Sequence, residues 1–435
     1  MSFRGYIGKL EKSGKIEKVK RPISKRLEAS GVLKALGGKA AMFEKVKESK
    51  FRVAGNIFGT KESIGDYLGC RAGELIPKLT NAIENPSEPE LVESAPCQEV
   101  EMDEVDLDNL PILFHCEKDG GNYISSSVFS INDPKYGRNL DFHRCMQIGK
   151  DRFSVRVVKD RHFDLSLKEN KEIDVAITVG NGANVLLAAA ISVERGKDEL
   201  GIANTLGPLK VVRAKTCDAL VPADAEFVIE GTVKLGEKAD EGPFVDLTET
   251  YDRVRQEPVL TVKKITHRKD AIWQALLPGD LEHKILMGMP REPTILREVN
   301  KQGVKCLDVN VNPGGCSWLH AIVQVDKKDE GDGLKAIEGA FAGHKSCKHV
   351  FIVDKDIDIY SPLEVEWAMA TRFQADRGFV MKGKEKGSSL DPSADPETSF
   401  TTKCGFDLTA PLKTAGKGFG KAKFPKLNLG EFLGD

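Results

Sequence analysis

Three polar side chains interrupt apolar runs in the middle of the chain: Asn139 in "GRNLDF", His162 beside Arg161 in "VVKDRHFDL", and Glu230 in "EFVIEGTV". An amide oxygen, an imidazole and a carboxylate make a hard-leaning donor set that suits Mg²⁺ or Mn²⁺ better than a thiolate zinc site. Spacing alone does not join them. Asn139 also reads as a turn residue after Gly137, His162 as a half-buried strand-end histidine, and Glu230 as a solvated residue opposite Lys234. Arg144 and Arg156 fall in predicted strands among Phe, Met and Val, where an unpaired guanidinium is costly, so each needs an anion. That anion is either an internal carboxylate, such as Asp141 or Glu241, or a ligand carboxylate or phosphate held bidentately. In "LLPGDLEHKILMG", Glu282 lies between apolar stretches that would raise its pKa and let it deliver a proton near neutrality. Asp280 reads more simply as the N-cap of the following helix. Glu241 and Asp246 share the Gly-Pro turn of "ADEGPFVDLT", whose plain reading is a loop.

These residues need a scaffold, and 435 residues are enough for two or three domains with real cores. With 64 basic against 66 acidic residues, no global charge steers the chain to nucleic acid or to an anionic membrane. The start, "MSFRGYIGKLEKSGK", has no uninterrupted apolar core, and no stretch reaches membrane-spanning length, so a cytoplasmic protein is expected. Nine cysteines without a C-x-x-C pair fit a reducing compartment and packing roles.

Phe3, Tyr6, Ile7 and Leu10 recur at helical spacing after Ser2, with Gly14 as the stop. "AAMFEKV" and "FRVAGNIFG" read as strands, and "SIGDYLG" and "AGELIPKLTNAIENP" as helical pieces. The acidic, Pro-rich stretch from Asn85 to Pro111 reads as a linker. Beyond it "SSVFSI", "RFSVRVV", "DVAITVG", "AEFVIEGTV" and "VLTVKKITHR" are short, β-branched and bounded by turn residues, predicting a strand-rich domain with few helices. "VKCLDVNVNP", "LHAIVQVDKK" and "KHVFIVDKDID" then alternate with helical stretches over 333–343 and 363–375, the second opened by a Ser361-Pro362-x-Glu364 capping box. The Gly- and Lys-rich tail is either loose or an arm laid on a neighbour.

The order of these pieces resembles the UbiD family of decarboxylases. The resemblance is carried by "FRGYIGKLEKSGKIEKV", "GGNYISSSVFSINDPKYGRNLDFHR", "RFSVRVVKDRHF", "ADAEFVIEGTV", "LPGDLEHKILMG", "VNPGGCSWLHAIVQV" and "TKCGFDLTAP", in family order over nearly the whole chain. It implies an α+β multi-domain fold: an N-terminal α/β domain with linker over 1–110, a central split β-barrel that binds prenylated FMN over 111–295, and a C-terminal α/β oligomerisation domain with tail over 296–435. It also implies that Asn139, His162 and Glu230 hold Mn²⁺ or Mg²⁺, often with K⁺, against the cofactor phosphate. By the same resemblance Phe142, His143, Arg144, Arg156, Val157, Val158, Arg161 and Lys403 contact the cofactor, Arg144 also faces the substrate, and Glu282 protonates the carbon that CO2 leaves. The family's second glutamate, five residues before the acid, is Leu277 here, leaving Glu241 or Asp280 to complete an Arg-Glu-Glu network.

Likeness to archaeal members implies a small α,β-unsaturated acid as substrate, trans-anhydromevalonate 5-phosphate, giving isopentenyl phosphate for isoprenoid synthesis. An aromatic acid such as 4-hydroxybenzoate is the alternative within this chemistry, and a non-catalytic flavin-binding assembly subunit the alternative of another class. Lys210, Arg213 and Lys215 are available for a substrate phosphate, although a solvated strand edge explains them as well. A flavin prenyltransferase as cofactor supplier and a homo-oligomer, dimer or hexamer, complete the expected partners.

Overall fold

The structure is a computed structural model that describes residues 1–413 and 418–433. Ser2 Oγ accepts the Gly5 N–H at 3.1 Å and opens the helix Phe3–Lys12, which buries Phe3, Tyr6, Ile7 and Leu10 as the spacing predicts. Strands Ala41–Phe43 and Arg52–Gly55 pair antiparallel. Their four-stranded sheet is completed by Ile272–Ala275, which joins Arg52–Gly55 in parallel from far along the chain. That pairing sets the following turn and the helix Leu281–Gly288 against the loop after Gly55.

The predicted linker is docked rather than free. Glu90–Val92 pairs with Lys210–Arg213, Val100–Glu101 pairs with Arg255–His267, and Leu107 and Leu110 are fully buried. Isolated apolar residues in an acidic stretch carry no period, yet each finds a tertiary contact.

The middle region is built on a nine-stranded sheet. Its path runs Tyr123–Ile124, Cys145–Gln147, Arg152–Val155, Arg255–His267, Phe227–Glu241, Glu172–Val179, Val128–Asp133, Gly137–Phe142, with Val100–Glu101 beside it. Among the described residues no strand pair closes this path into a complete barrel. Only His143 and Arg144 separate the last strand on the path from the second, so Phe142 and Cys145 lie at most about 11 Å apart. The sheet must therefore curl until its ends face each other, with Arg144 at the seam. Asn139 lies on the strand and Arg144 within this break, so strand alternation does not relate them.

The middle region holds more helix than its sequence predicts: His162–Asn170, Ala183–Ala190 and Glu199–Leu206. Ala183–Ala190 is buried at every position, so it shows no amphipathic stripe to read.

A five-stranded sheet follows in the order Cys306–Asn310, His320–Val325, His349–Asp354, Phe400–Asp407, Phe379–Lys386. It packs with helices Glu292–Lys301 and Asp332–Gly343, and Pro362–Arg372 is capped by Ser361, whose hydroxyl accepts the Glu364 N–H at 3.4 Å. In the tail, Phe424, Leu427 and Phe432 are exposed; residues 414–417 and 434–435 of that predicted arm lie outside the described residues. No helix among the described residues is long and apolar enough to cross a membrane.

Candidate active site

Arg144 is surrounded by carboxylates. Its Nε and Nη2 donate to the two oxygens of Glu241 at 2.8 and 3.0 Å, Nη1 to Asp246 at 2.5 Å, and Nη2 also to Asp252 at 2.9 Å. Of the five guanidinium N–H groups one remains, on Nη1. Burial opposes the charge, but the three acids hold the pKa of Arg144 above the ordinary arginine range. Its face lies 4.5 Å from the Phe244 ring centre. Tyr123 fixes Glu241 in turn: its hydroxyl donates to Glu241 at 3.1 Å and accepts the Gly242 N–H at 3.0 Å. Of Asp141, Asp280 and Glu241, the acids the sequence offers as its partner, only Glu241 pairs with Arg144. Asp280 instead meets Lys34 at 2.9 Å, and Asp141 lies 3.0 Å from His143 Nε2.

Glu282 opens the helix that follows the Pro278-Gly279 turn. Gly279 has φ +69°, and a Cβ there would meet the Asp246 carbonyl at 2.9 Å, so the turn before Glu282 presses directly on the loop that serves Arg144. Lys284 reinforces this junction through Glu249 at 2.5 Å. On the other side, Asn56 at φ 56° turns the chain after Gly55, held by its amide donating to the Leu33 carbonyl at 3.0 Å. The Phe58 N–H then donates to Glu282 Oε1 at 2.8 Å. Glu282 Oε2 is buried without a partner. Burial pushes the carboxyl up to about 7, with the Phe58, Asn56 and Ile57 N–H groups restraining the rise and Asp280 adding to it. A carboxylic acid so held is half-protonated near neutrality and keeps one oxygen free to give a proton.

The candidate metal donors divide. Asn139 Oδ1 lies 3.0 Å from His162 Nδ1, and Asn139 Nδ2 is buried without a partner. Glu230 does not join them. Register pairs Leu140 with Ser130, Ser130 with Ala176 and Ala176 with Glu230, so Glu230 shares the Leu140 face, opposite to Asn139, and stands three strands or about 14 Å away. Its oxygens are already occupied by the Lys215 N–H at 2.9 Å, the Thr216 N–H at 2.6 Å and the Thr216 hydroxyl at 2.8 Å. The carboxylate beside Asn139 is Glu199. Gly137–Phe142 is a terminal strand, so its outward N–H groups lack a strand partner, and that of Leu140 donates to Glu199 at 3.0 Å. Burial raises Glu199 to about 8, the Leu140 N–H lowers it, and nearby Asp141 raises it. Burial lowers His162, and the same Asp141 raises it. Asn139, His162 and Glu199 thus close on one sheet edge with the oxygen and nitrogen donors a hard divalent cation takes.

All three family models for 3-octaprenyl-4-hydroxybenzoate carboxy-lyase match: the N-terminal domain over residues 7–83, the Rift-related domain over 90–281 and the C-terminal domain over 284–408. The chain belongs to the UbiD family of carboxy-lyases. It is 39% identical over 422 residues to the anhydromevalonate phosphate decarboxylase of Methanothermobacter thermautotrophicus, covering 95% of this chain and 98% of that one. Among solved structures, the UbiD-class enzyme HmfF from Pelotomaculum thermopropionicum in complex with FMN superposes with a TM-score of 0.95 at 33% identity, covering all of both chains. An evolved dimeric form of the same enzyme with prenylated FMN gives 0.91 at 32% identity, covering 99% of this chain and all of that one.

His143 Nδ1 lies 3.0 Å from the Arg156 carbonyl, and Arg156 is internally paired with Glu257 at 2.8 Å. Val157 is buried, Val158 exposed, and Phe142 half-buried. Arg161 donates to the Ser192 hydroxyl at 3.1 Å. Lys403 is buried and donates to the Lys345 carbonyl at 2.6 Å. Lys210 and Arg213 are exposed and paired with Glu90 at 3.1 Å and Asp218 at 2.8 Å. Their strand belongs to a small separate sheet whose buried Val212 packs with Ala176 and Val228 of the Glu230 face, away from Asn139, an arrangement that fits the solvated strand edge. Glu199 escaped the sequence reading because "KDELG" looks like a capped helix start, and Asp198 is indeed that N-cap. Asp252 and Tyr123, and the pairing of Asp246 with Arg144, are not legible because nothing in sequence ties these residues to Arg144 or Glu241.

Proposed function

We propose that this chain is a prenylated-FMN-dependent decarboxylase of trans-anhydromevalonate 5-phosphate, releasing CO2 and isopentenyl phosphate. The observation that carries the reading is Glu282: a buried acid with its pKa near 7 and one oxygen unpartnered, at the junction with the Arg144–Glu241 pair. The names of the archaeal relatives support the substrate, and the flavin in the neighbouring structures supports the cofactor.

In this reading the curled nine-stranded sheet is a split barrel that receives the flavin at its seam. Asn139, His162 and Glu199 would hold Mn²⁺ or Mg²⁺ against the cofactor phosphate, with Arg161 and Lys403 as further cations. When bound, the prenylated flavin supplies the electron sink that decarboxylation requires and side chains lack. Arg144 orients the substrate carboxylate with its remaining N–H, while Glu241 and Tyr123 keep the guanidinium from turning. Glu282 gives the proton from Oε2 to the carbon that loses CO2. Its burial against Asn56–Phe58 keeps water from competing for that proton. A flavin prenyltransferase supplies the cofactor, and the exposed apolar tail supports assembly into a dimer or hexamer.

The test is CO2 release by protein co-produced with a flavin prenyltransferase, offered trans-anhydromevalonate 5-phosphate, 4-hydroxybenzoate or a cinnamate. Turnover of the enoic phosphate alone is expected; turnover of only the aromatic acids would overturn the substrate assignment. Protein that carries no chromophore and no divalent metal would overturn the flavin enzyme itself.

A further inference from the structure

Arg144, Arg156, Arg195 and Arg372 all meet carboxylates of the chain. Arg291 does not. It ends the turn Met289–Arg291 just before the helix Glu292–Lys301, and even its neighbour Glu292 is directed elsewhere, to Lys61 at 2.7 Å. Its Nη2 donates to the Ala190 carbonyl at 3.1 Å, its face lies 5.2 Å from the Trp318 ring centre, and its Nε is buried without a partner. Two residues beyond Ala190, the Ser192 hydroxyl accepts from Arg161 at 3.1 Å, so two guanidiniums grip one short segment. Neither has an ion-pair partner among the described residues. Burial first, and then the like charge of Arg161, push Arg291 down to about 10. His344 is no counter-charge: burial, then the charges of Arg291 and Lys403, lower it to about 3. Two guanidiniums in this state, one with an orphaned fork, call for a dianion that accepts several N–H bonds at once.

We propose that Arg291, together with Arg161, binds a phosphate monoester. Two sources have this chemistry on the reading above, the flavin's ribityl phosphate and the substrate's 5-phosphate, and the inference rests on that reading only for its choice of natural ligand. His162 adjoins Arg161 and faces Asn139 across 3.0 Å, so the ribityl phosphate at the metal edge is the nearer source.

The experiment compares wild type, Arg291→Met and Arg291→Lys as metal-loaded proteins without flavin, titrated with FMN and with riboflavin by fluorescence quenching. Calorimetric titration with inorganic phosphate and isopentenyl phosphate follows on FMN-loaded protein. If Arg291 holds the ribityl phosphate, FMN affinity falls about 10–100-fold in Arg291→Met, the loss of one or two hydrogen bonds to a charged group, while riboflavin binding is unchanged. Arg291→Lys keeps the charge without the fork and falls between. If it holds the substrate phosphate, FMN binding is unchanged and the two phosphates bind more weakly. Equal affinities for every probe in wild type and both variants, with unchanged circular dichroism, overturn the inference. Wild type that binds neither FMN nor riboflavin overturns the flavin enzyme instead, and inorganic phosphate alone then decides the role of Arg291.

Discussion

Glu230 and Glu282 are both buried glutamates at the end of apolar runs, and the sequence offered both as chemical groups. Three donors engage both oxygens of Glu230, which ties the 215–216 turn to the sheet. Glu282 keeps one oxygen without a partner and lies beside a loop shared with Arg144. Burial alone therefore does not mark a reactive carboxylate; unspent hydrogen-bonding capacity does. Glu199 is buried like both, with its pKa raised to about 8, and accepts the Leu140 N–H; a bound cation would draw that pKa down.

The contrast breaks most plainly by removing the proton of Glu282. Glu282→Gln should lower kcat by about 10²–10⁴-fold, the range for loss of a positioned general acid, with the melting temperature close to wild type. Full turnover in this variant would move the proton donor to Asp280 or Glu241. The next effect separates the two candidate metal carboxylates. Glu199→Gln should weaken Mn²⁺ binding by more than the roughly 10–100-fold cost of losing an outer partner, measured by titration calorimetry. Glu230→Gln should leave Mn²⁺ binding intact and instead cost about 2 kcal/mol in urea denaturation, as its charged hydrogen bonds are lost. Mn²⁺ loss in Glu230→Gln would return that residue to the metal site.

pH sharpens the same comparison. Glu282 acts protonated, so kcat should fall as pH rises through about 7. Because its folded pKa lies above its ordinary 4.5, its contribution to stability is full below 4.5 and is lost as pH climbs through 7. The urea midpoint of flavin-free protein should decline over that window, and less so in Glu282→Gln. The smallest expected change is at Asp246. Asp246→Asn releases Arg144 Nη1 to the substrate and removes a like charge from an anionic ligand, so KM should fall about fivefold with kcat little changed. A rise in KM would mean that Asp246 positions Arg144 rather than competing for it.

Much of the fold was legible because local patterns are enforced locally. The first helix follows from Ser2, an apolar stripe and Gly14, and the central strands from β-branched runs between turn residues. Docked pieces without a period were not legible: the strands in the linker, and the uniformly buried helix Ala183–Ala190. In the site, Asn139, His162, Arg144, Glu241 and Glu282 could each be named from the chain, and the family from their order.

Which of them meet was decided by pairings between distant segments. Ile272–Ala275 joining the N-terminal sheet carries Glu282 to the Asn56–Phe58 loop, and the two-residue break at His143–Arg144 brings the sheet ends together around Arg144. Strand register turns Glu230 away from Asn139, and the free edge of Gly137–Phe142 admits Glu199 in its place. The sequence determines which donors and acids exist and which segments are strands. Face and neighbour follow from register and from which edge is left unpaired, and both are settled only when hydrogen bonds form between segments far apart in the chain.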